Sequence, residues 1–166
     1  MKKDTLSLLR KFVAPEYIYG AGSRKLVDRY ANNFGLSKIM LVTDKGVQEA
    51  GWSKEVNDIL TKAGFEVIVY DNVSPNPRDY EVMNGAKIFE DENCDSIVAV
   101  GGGSVMDCAK GIGIVVSNQT NILDFEGVDK VAIPAPPLIC IPTTAGTSAD
   151  VSQFCIITDT TRLVKI

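Results

Sequence analysis

Apolar residues in this chain fall into short runs separated by longer stretches of mixed polarity. Four runs have the length of strands and contain many β-branched residues. They cover residues 38–44, 65–71, 96–101 and 138–142. The run that begins at Ser96 is typical of a strand buried on both faces of a parallel sheet. The stretches between and before the four runs predict helices near 23–34, 52–63, 78–92 and 105–116. Strands that alternate with helices predict an α/β fold, a Rossmann-like, doubly wound parallel sheet.

The two ends of the chain depart from this alternation. Residues 1–16 are expected to form an N-terminal arm, and residues 17–20 a short strand that leads into a helix capped by Ser23. Near the other end, runs at 151–158 and 162–166 are joined by a polar three-residue turn. This pattern predicts a C-terminal β-hairpin.

Length and charge restrict the class of protein. The 166 residues are enough for one domain with a sizeable core, so residues 1–166 are expected to form a single domain. The formal net charge of −4 and the lack of a basic run argue against a nucleic-acid partner. No apolar stretch is long enough to span a bilayer, and the first residues do not resemble a signal peptide. A cytoplasmic location is therefore expected.

The cysteine and histidine content bears on redox and metal chemistry. The four cysteines are far apart and form no Cys-x-x-Cys pair, so buried reduced thiols are expected instead of disulfides or a zinc site. The chain contains no histidine, the commonest metal ligand and the commonest general base near neutral pH. No catalytic acid or base and no metal ligand are therefore predicted in these residues.

The strongest chemical signal is the glycine turn, residues Gly101–Ser104, which follows the third buried strand. Glycines allow a phosphate to approach the main chain, and the first turn of the following helix presents unpaired N–H groups with partial positive charge. A second interpretation is a tight turn in which Ser104 caps the helix and Asp107 completes a capping box. The two interpretations are compatible. The sequence therefore predicts a phosphate site with or without this cap.

Other polar residues follow the predicted strands in the same way. Asp44, Asn76 and Thr143–Thr147 each come just after a strand or the loop that ends it. Ligands of open parallel sheets bind outside the carboxyl ends of the strands. We therefore expect these residues to lie along one edge of the sheet with the glycine turn.

The motif Gly-Gly-Gly-Ser-x-x-Asp-x-x-Lys at 101–110, followed by Pro-Thr-Thr-Ala-Gly-Thr at 142–147, resembles the iron-containing (group III) alcohol dehydrogenase family. Thr-Asp-Lys-Gly at 43–46 and Pro-Asn-Pro at 75–77 match its other cofactor motifs in the right order. The resemblance extends from about Phe12 to the end of the chain. It departs from the family pattern at 148–150, where Ser-Ala-Asp replaces the usual Gly-Ser-Glu.

The resemblance implies a two-domain, NAD-linked enzyme that transfers a hydride between a small alcohol or aldehyde and the nicotinamide. This chain would be the nucleotide-binding domain. A C-terminal helical domain, expected beyond Ile166, would carry iron or another divalent metal on one Asp and three His. The chain alone is then expected to be inactive, and a homo-oligomer is expected. The alternative is a stand-alone nucleotide-binding or regulatory module without catalysis.

The family motifs also assign roles to individual residues. Asp44 would bind the adenosine ribose, although it could instead cap the next helix. Asn76 would face the adenine side, although Pro-Asn-Pro is also a good turn. The resemblance places the pyrophosphate on Gly101, Gly102, Gly103 and Ser104.

The remaining assigned residues surround the nicotinamide end of the cofactor. Asp107 would reach toward the nicotinamide, and Lys110, one turn further along the helix, is expected to pair with Asp107 on the helix surface. Phe154 and Lys165 would flank the nicotinamide ribose. Hydroxyl and backbone donors to the diphosphate and that ribose would come from Thr143, Thr144 and Thr147.

Overall fold

The computed structural model describes residues 15–166. Most of the arm predicted for residues 1–16 therefore lies outside the described residues. No helix among residues 15–166 is long and apolar enough to cross a membrane.

A four-stranded parallel sheet forms the centre of the fold, which confirms the predicted α/β class. Its strands are β1 (Lys38–Val42), β2 (Glu66–Tyr70), β3 (Ser96–Gly101) and β4 (Leu138–Pro142). They lie in the order β2-β1-β3-β4, and every neighbouring pair is parallel. All six residues of β3 are buried, as expected for an apolar strand covered on both faces.

Within residues 15–166, five α-helices connect and cover these strands. They are α1 (Val27–Asn33), α2 (Lys45–Glu49), α3 (Trp52–Lys62), α4 (Asp79–Asp91) and α5 (Gly103–Asn118). Short 3-10 helices at Ser23–Leu26 and Ile122–Phe125 precede α1 and follow α5. Four of the α-helices lie where the pattern predicts them. The five-residue α2 was not predicted, because one turn and a half is too short to show a periodicity.

The sheet separates two apolar cores, so the doubly wound arrangement is confirmed. On one face Met40 and Ile97 pack with Met106 and other residues of α4 and α5. On the opposite face Ile39 and Leu41 pack with residues of α1 and α3. Successive residues of β1 thus point to opposite cores, which is the period-two alternation of a strand.

The predictions for the chain ends need correction. Residues 17–20 form no strand, and Ser23 is not a helix cap: Gly22, in the left-handed region, holds that position without a side-chain hydrogen bond. The predicted hairpin exists, but β5 (Thr158–Asp159) and β6 (Val164–Lys165) have only two residues each. The run before β5 is no strand, and carbonyl groups of the segment 149–154 accept hydrogen bonds from Lys110 on α5.

Candidate functional site at the carboxyl ends of the strands

The strand order places a topological switch point at the carboxyl ends of β1 and β3. The chain passes from β1 to β2 on one side and then crosses to β3 on the other, so the connections diverge between β1 and β3. Such a switch point is where open parallel sheets bind ligands. Thr43, which follows β1, is buried and donates its hydroxyl hydrogen to the carbonyl of Val100 on β3 at 2.9 Å. This bond joins the end of β1 to β3 at the switch point.

The glycine turn opens α5 without a side-chain cap. Gly102 occupies the N-cap position in an extended conformation, with φ −83° and ψ −170°. Because the helix begins at Gly103, Ser104 already lies in its first turn, and the predicted capping box of Ser104 and Asp107 is wrong. The first-turn N–H groups of this 16-residue helix therefore lack a side-chain partner at its positive end.

A second loop, the threonine loop (residues 143–150), lies against the glycine turn. The N–H of Thr143 donates to the carbonyl of Gly101 at 2.9 Å. A Cβ atom added to Gly102 would lie 3.2 Å from Thr144 Oγ1, and one added to Gly103 would lie 3.1 Å from Thr147 Cγ2. The glycines thus allow the two loops to approach closely, and main chain and hydroxyl groups share one surface.

Asn76, Ser104 and Lys165 meet beside the glycine turn. The N–H of Asn76 donates to Ser104 Oγ at 3.2 Å, and Lys165 Nζ donates to Asn76 Oδ1 at 2.6 Å. Asn76 adopts the left-handed conformation, with φ 58°, that asparagine tolerates better than most residues. Asn76 and Ser104 are 28 positions apart in the chain, and Asn76 and Lys165 are 89 apart, yet the fold brings all three together. The resemblance assigns Asn76 and Lys165 to different ends of a cofactor.

Charged side chains occupy the ends of β1 and β2. Asp44 caps α2, since its Oδ1 accepts the N–H of Val47 at 2.9 Å, as in the second interpretation of this residue. The neighbouring Lys45 donates to Asp71, which directly follows β2. The bond from Lys45 holds the pKa of the Asp71 carboxyl below its ordinary value. This pair was not predicted, although Asp71 directly follows β2 much as Asp44 follows β1.

Lys110 and Asp107 do not form the expected surface ion pair. Lys110 Nζ instead donates to three carbonyl groups of the segment 149–154, those of Ala149, Ser152 at 2.7 Å and Phe154 at 2.9 Å. Burial raises the pKa of the half-buried Asp107 carboxyl, and the N–H of Ile156 and the charge of Lys110 oppose this effect. The prediction for Lys110 is wrong because the segment that reaches it is 39 or more positions away.

The cysteines are reduced and their thiols have raised pKa values. All four are free, and burial raises the pKa to about 11 in Cys94, Cys140 and Cys155 and further in Cys108. Within residues 15–166, no group of three His, Cys, Asp or Glu residues is placed to hold a metal ion.

The fold and the site define an α/β protein with a glycine-rich turn at the switch point of a parallel sheet. A family model described as iron-containing alcohol dehydrogenase matches residues 14–166. The chain belongs to this family.

Individual relatives agree with the family assignment. The NAD-dependent methanol dehydrogenase of Bacillus methanolicus is 38% identical over 155 residues, which cover 93% of this chain and 41% of that protein. A crystal structure of 1,3-propanediol oxidoreductase matches with a TM-score of 0.90 and 37% identity, over 95% of this chain and 41% of that one. Sulfoacetaldehyde reductase from Bifidobacterium kashiwanohense, in complex with NAD+, matches with a TM-score of 0.82 and 31% identity, over 95% and 42%. This chain thus spans about two fifths of the length of these relatives.

Proposed function

We propose that this chain binds NAD across the carboxyl ends of its strands, in an enzyme that transfers a hydride between the cofactor and a small alcohol or aldehyde. The contact of the glycine turn with the threonine loop carries the proposal. Cβ atoms on Gly102 and Gly103 would fill the space beside Thr144 and Thr147, and the first turn of α5 has no side-chain cap. A diphosphate fits this combination of bare main chain, hydroxyl groups and helix N-terminus. The relative in complex with NAD+ supports the choice of nucleotide.

The proposed cofactor runs along the edge of the sheet. Asp44 at the end of β1 would accept hydrogen bonds from the adenosine ribose, with Asn76 toward the adenine side. Ser104 and Thr143 would donate to the diphosphate beside the main chain of the glycine turn. Because Lys165 hydrogen-bonds Asn76, its ammonium group would lie near enough to offset part of the diphosphate charge.

The nicotinamide end would lie toward the segment 149–154. Asp107 is half-buried there, and the Phe154 side chain is 56% exposed, which leaves an aromatic face open to a ligand. The nicotinamide supplies hydride transfer when bound, and the residues of this chain would hold and orient it. The described residues do not fit the iron in the family description, since they include no suitable ligand cluster. We therefore assign iron to none of them.

Calorimetric titration of the purified chain with NAD, NADP and ATP tests the proposal. We expect NAD to bind with a dissociation constant on the order of tens of micromolar to millimolar, and more tightly than NADP or ATP. With ferrous iron or zinc, NAD and short alcohols or diols, we expect no NADH absorbance from this chain alone. Tighter binding of ATP than of NAD would favour the regulatory-module alternative. Absence of NAD binding at millimolar concentration would refute the cofactor site.

We also propose that the chain self-associates and resides in the cytoplasm. Tyr17, Tyr19 and Phe34 are more than half exposed and line a groove of about 870 Å³ beside the edge strand β4. Exposed aromatic side chains next to a strand edge that no other strand of residues 15–166 pairs with favour association. The four free cysteines are compatible with a reducing compartment. Light scattering after size-exclusion chromatography should give a mass above 17.9 kDa, and a monomer at high concentration would contradict self-association.

A further inference from the structure

Two side chains near Asp44 form an ion pair that the proposed cofactor site does not use. Lys45 directly follows Asp44 in the chain, and its Nζ donates to Asp71 Oδ2. Val42 lies opposite Tyr70 in the parallel register, so the residues that follow β1 and β2 leave the sheet side by side. Asp44, Lys45 and Asp71 therefore form one charged group at the strand ends.

We propose that Asp71 is a specificity-determining residue of the nucleotide site. By holding the ammonium group of Lys45, it keeps that cation away from the 2′ position of the adenosine ribose, where NADP carries a phosphate. The inference rests on the proposed function, because it requires the ribose to lie beside Asp44. It adds a second contribution to NAD preference, which acts through the position of a neighbouring cation and not through direct contact.

The arrangement of charge explains how this contribution arises. The Lys45 side chain is 69% exposed on a flexible stem, so without its partner it can turn toward an anion next to Asp44. A 2′-phosphate would bind such a lysine strongly, whereas the uncharged 2′-hydroxyl of NAD would gain little from it. While Asp71 holds the lysine, an incoming phosphate meets the Asp44 carboxylate and has to compete for the cation. Exposed ion pairs are weak, so the contribution to specificity is modest but measurable.

A double-mutant cycle tests the inference, with dissociation constants for NAD and NADP measured by calorimetry. The proteins are the unmutated chain, Asp71→Asn, Lys45→Met and the double variant, all at low ionic strength. We expect Asp71→Asn to lower the ratio of the NADP constant to the NAD constant by roughly three- to ten-fold. In the Lys45→Met background the same substitution should change the ratio by less than about two-fold, because no cation remains to be released.

Asp58→Asn on α3 is a matched control. Asp58 accepts from Lys54 at 2.7 Å in another exposed ion pair, so its substitution makes the same change in net charge outside the strand ends. The control should leave the ratio unchanged. Circular dichroism checks that each variant is folded, and Asp71→Ala replaces Asp71→Asn in the cycle if the asparagine variant unfolds.

The outcomes separate this inference from the proposed function. If NAD binds and Asp71→Asn leaves the ratio unchanged, Asp71 does not contribute to specificity, and the NAD site stands. If Asp71→Asn lowers the ratio of the NADP constant to the NAD constant equally in the presence and absence of Lys45, the cause is a general charge effect. That result would also overturn the inference. If neither nucleotide binds the folded, unmutated chain, the proposed function fails and the inference fails with it.

Discussion

Replacement of Lys110 by methionine tests how the segment 149–154 is held against α5. Lys110 donates to the carbonyl groups of Ala149, Ser152 and Phe154, so one ammonium group ties three points of the segment to the helix. Methionine keeps an unbranched stem of similar length and removes the charge and all three donors. The three carbonyl groups then have to find water, or the segment has to move away.

The expected loss of stability follows from these bonds. A hydrogen bond to a charged group contributes about 1.5–3 kcal/mol to stability when buried. Lys110 is partly exposed, and the three bonds share one charge, so we expect the total to be about 2–3 kcal/mol. For a protein of this size, that corresponds to a fall in melting temperature of roughly 4–12 °C.

Urea denaturation and thermal melting measure this loss, with Lys165→Met as the matched control. Lys165 is an exposed lysine with one side-chain hydrogen bond, to Asn76, so its replacement should reduce the free energy of unfolding by less than about 1 kcal/mol. Hydrogen exchange should also become faster for residues 151–157 in Lys110→Met than in the control. If the two variants are equally stable and residues 151–157 keep their protection, the reasoning about Lys110 is refuted.

Three further predictions concern the cofactor edge and the thiols. Gly102→Val should weaken NAD binding by at least about ten-fold with the fold intact, because φ −83° strains no residue and only the space beside Thr144 is lost. Thr144→Ala added to this variant should not restore binding; restoration would show that a displaced loop was the cause. Asp44→Ser keeps an acceptor for Val47 but removes the charge, so calorimetry should show a smaller NAD preference. An unmutated chain that binds NAD and NADP equally would contradict that role for Asp44. The three thiols whose pKa burial raises to about 11 should react with iodoacetamide at pH 8 about 100-fold more slowly than in urea. Because these pKa values are raised in the folded state, stability should fall as the pH rises from 9 toward 11, and rapid alkylation of the native protein at pH 8 would contradict the burial argument.

The local pattern was sufficient to predict the central sheet and most of its helices. Each strand is a run of five or six residues, and the apolar composition of β3 alone indicates its burial on two faces. The outer strands β2 and β4 are only partly buried, because within residues 15–166 each has a neighbouring strand on one side only. The order of strands and helices then restricted the fold to a parallel, doubly wound sheet. The same rule predicted that Asp44, Asn76, the glycine turn and the threonine loop would lie at one edge, because the carboxyl ends of parallel strands point the same way.

The contacts within that edge depend on residues far apart in the chain, and only the tertiary structure determines them. Lys110 at i+3 from Asp107 is correctly spaced for an ion pair, yet the segment 149–154 offers its carbonyl groups to the same ammonium. The start of α5 at Gly103 depends on backbone geometry and removes Ser104 from the cap position. The pairs Lys45–Asp71 and Lys165–Asn76 join residues 26 and 89 positions apart. Sequence periodicity describes the neighbours along one element, whereas these pairs form only when packing places separate loops side by side.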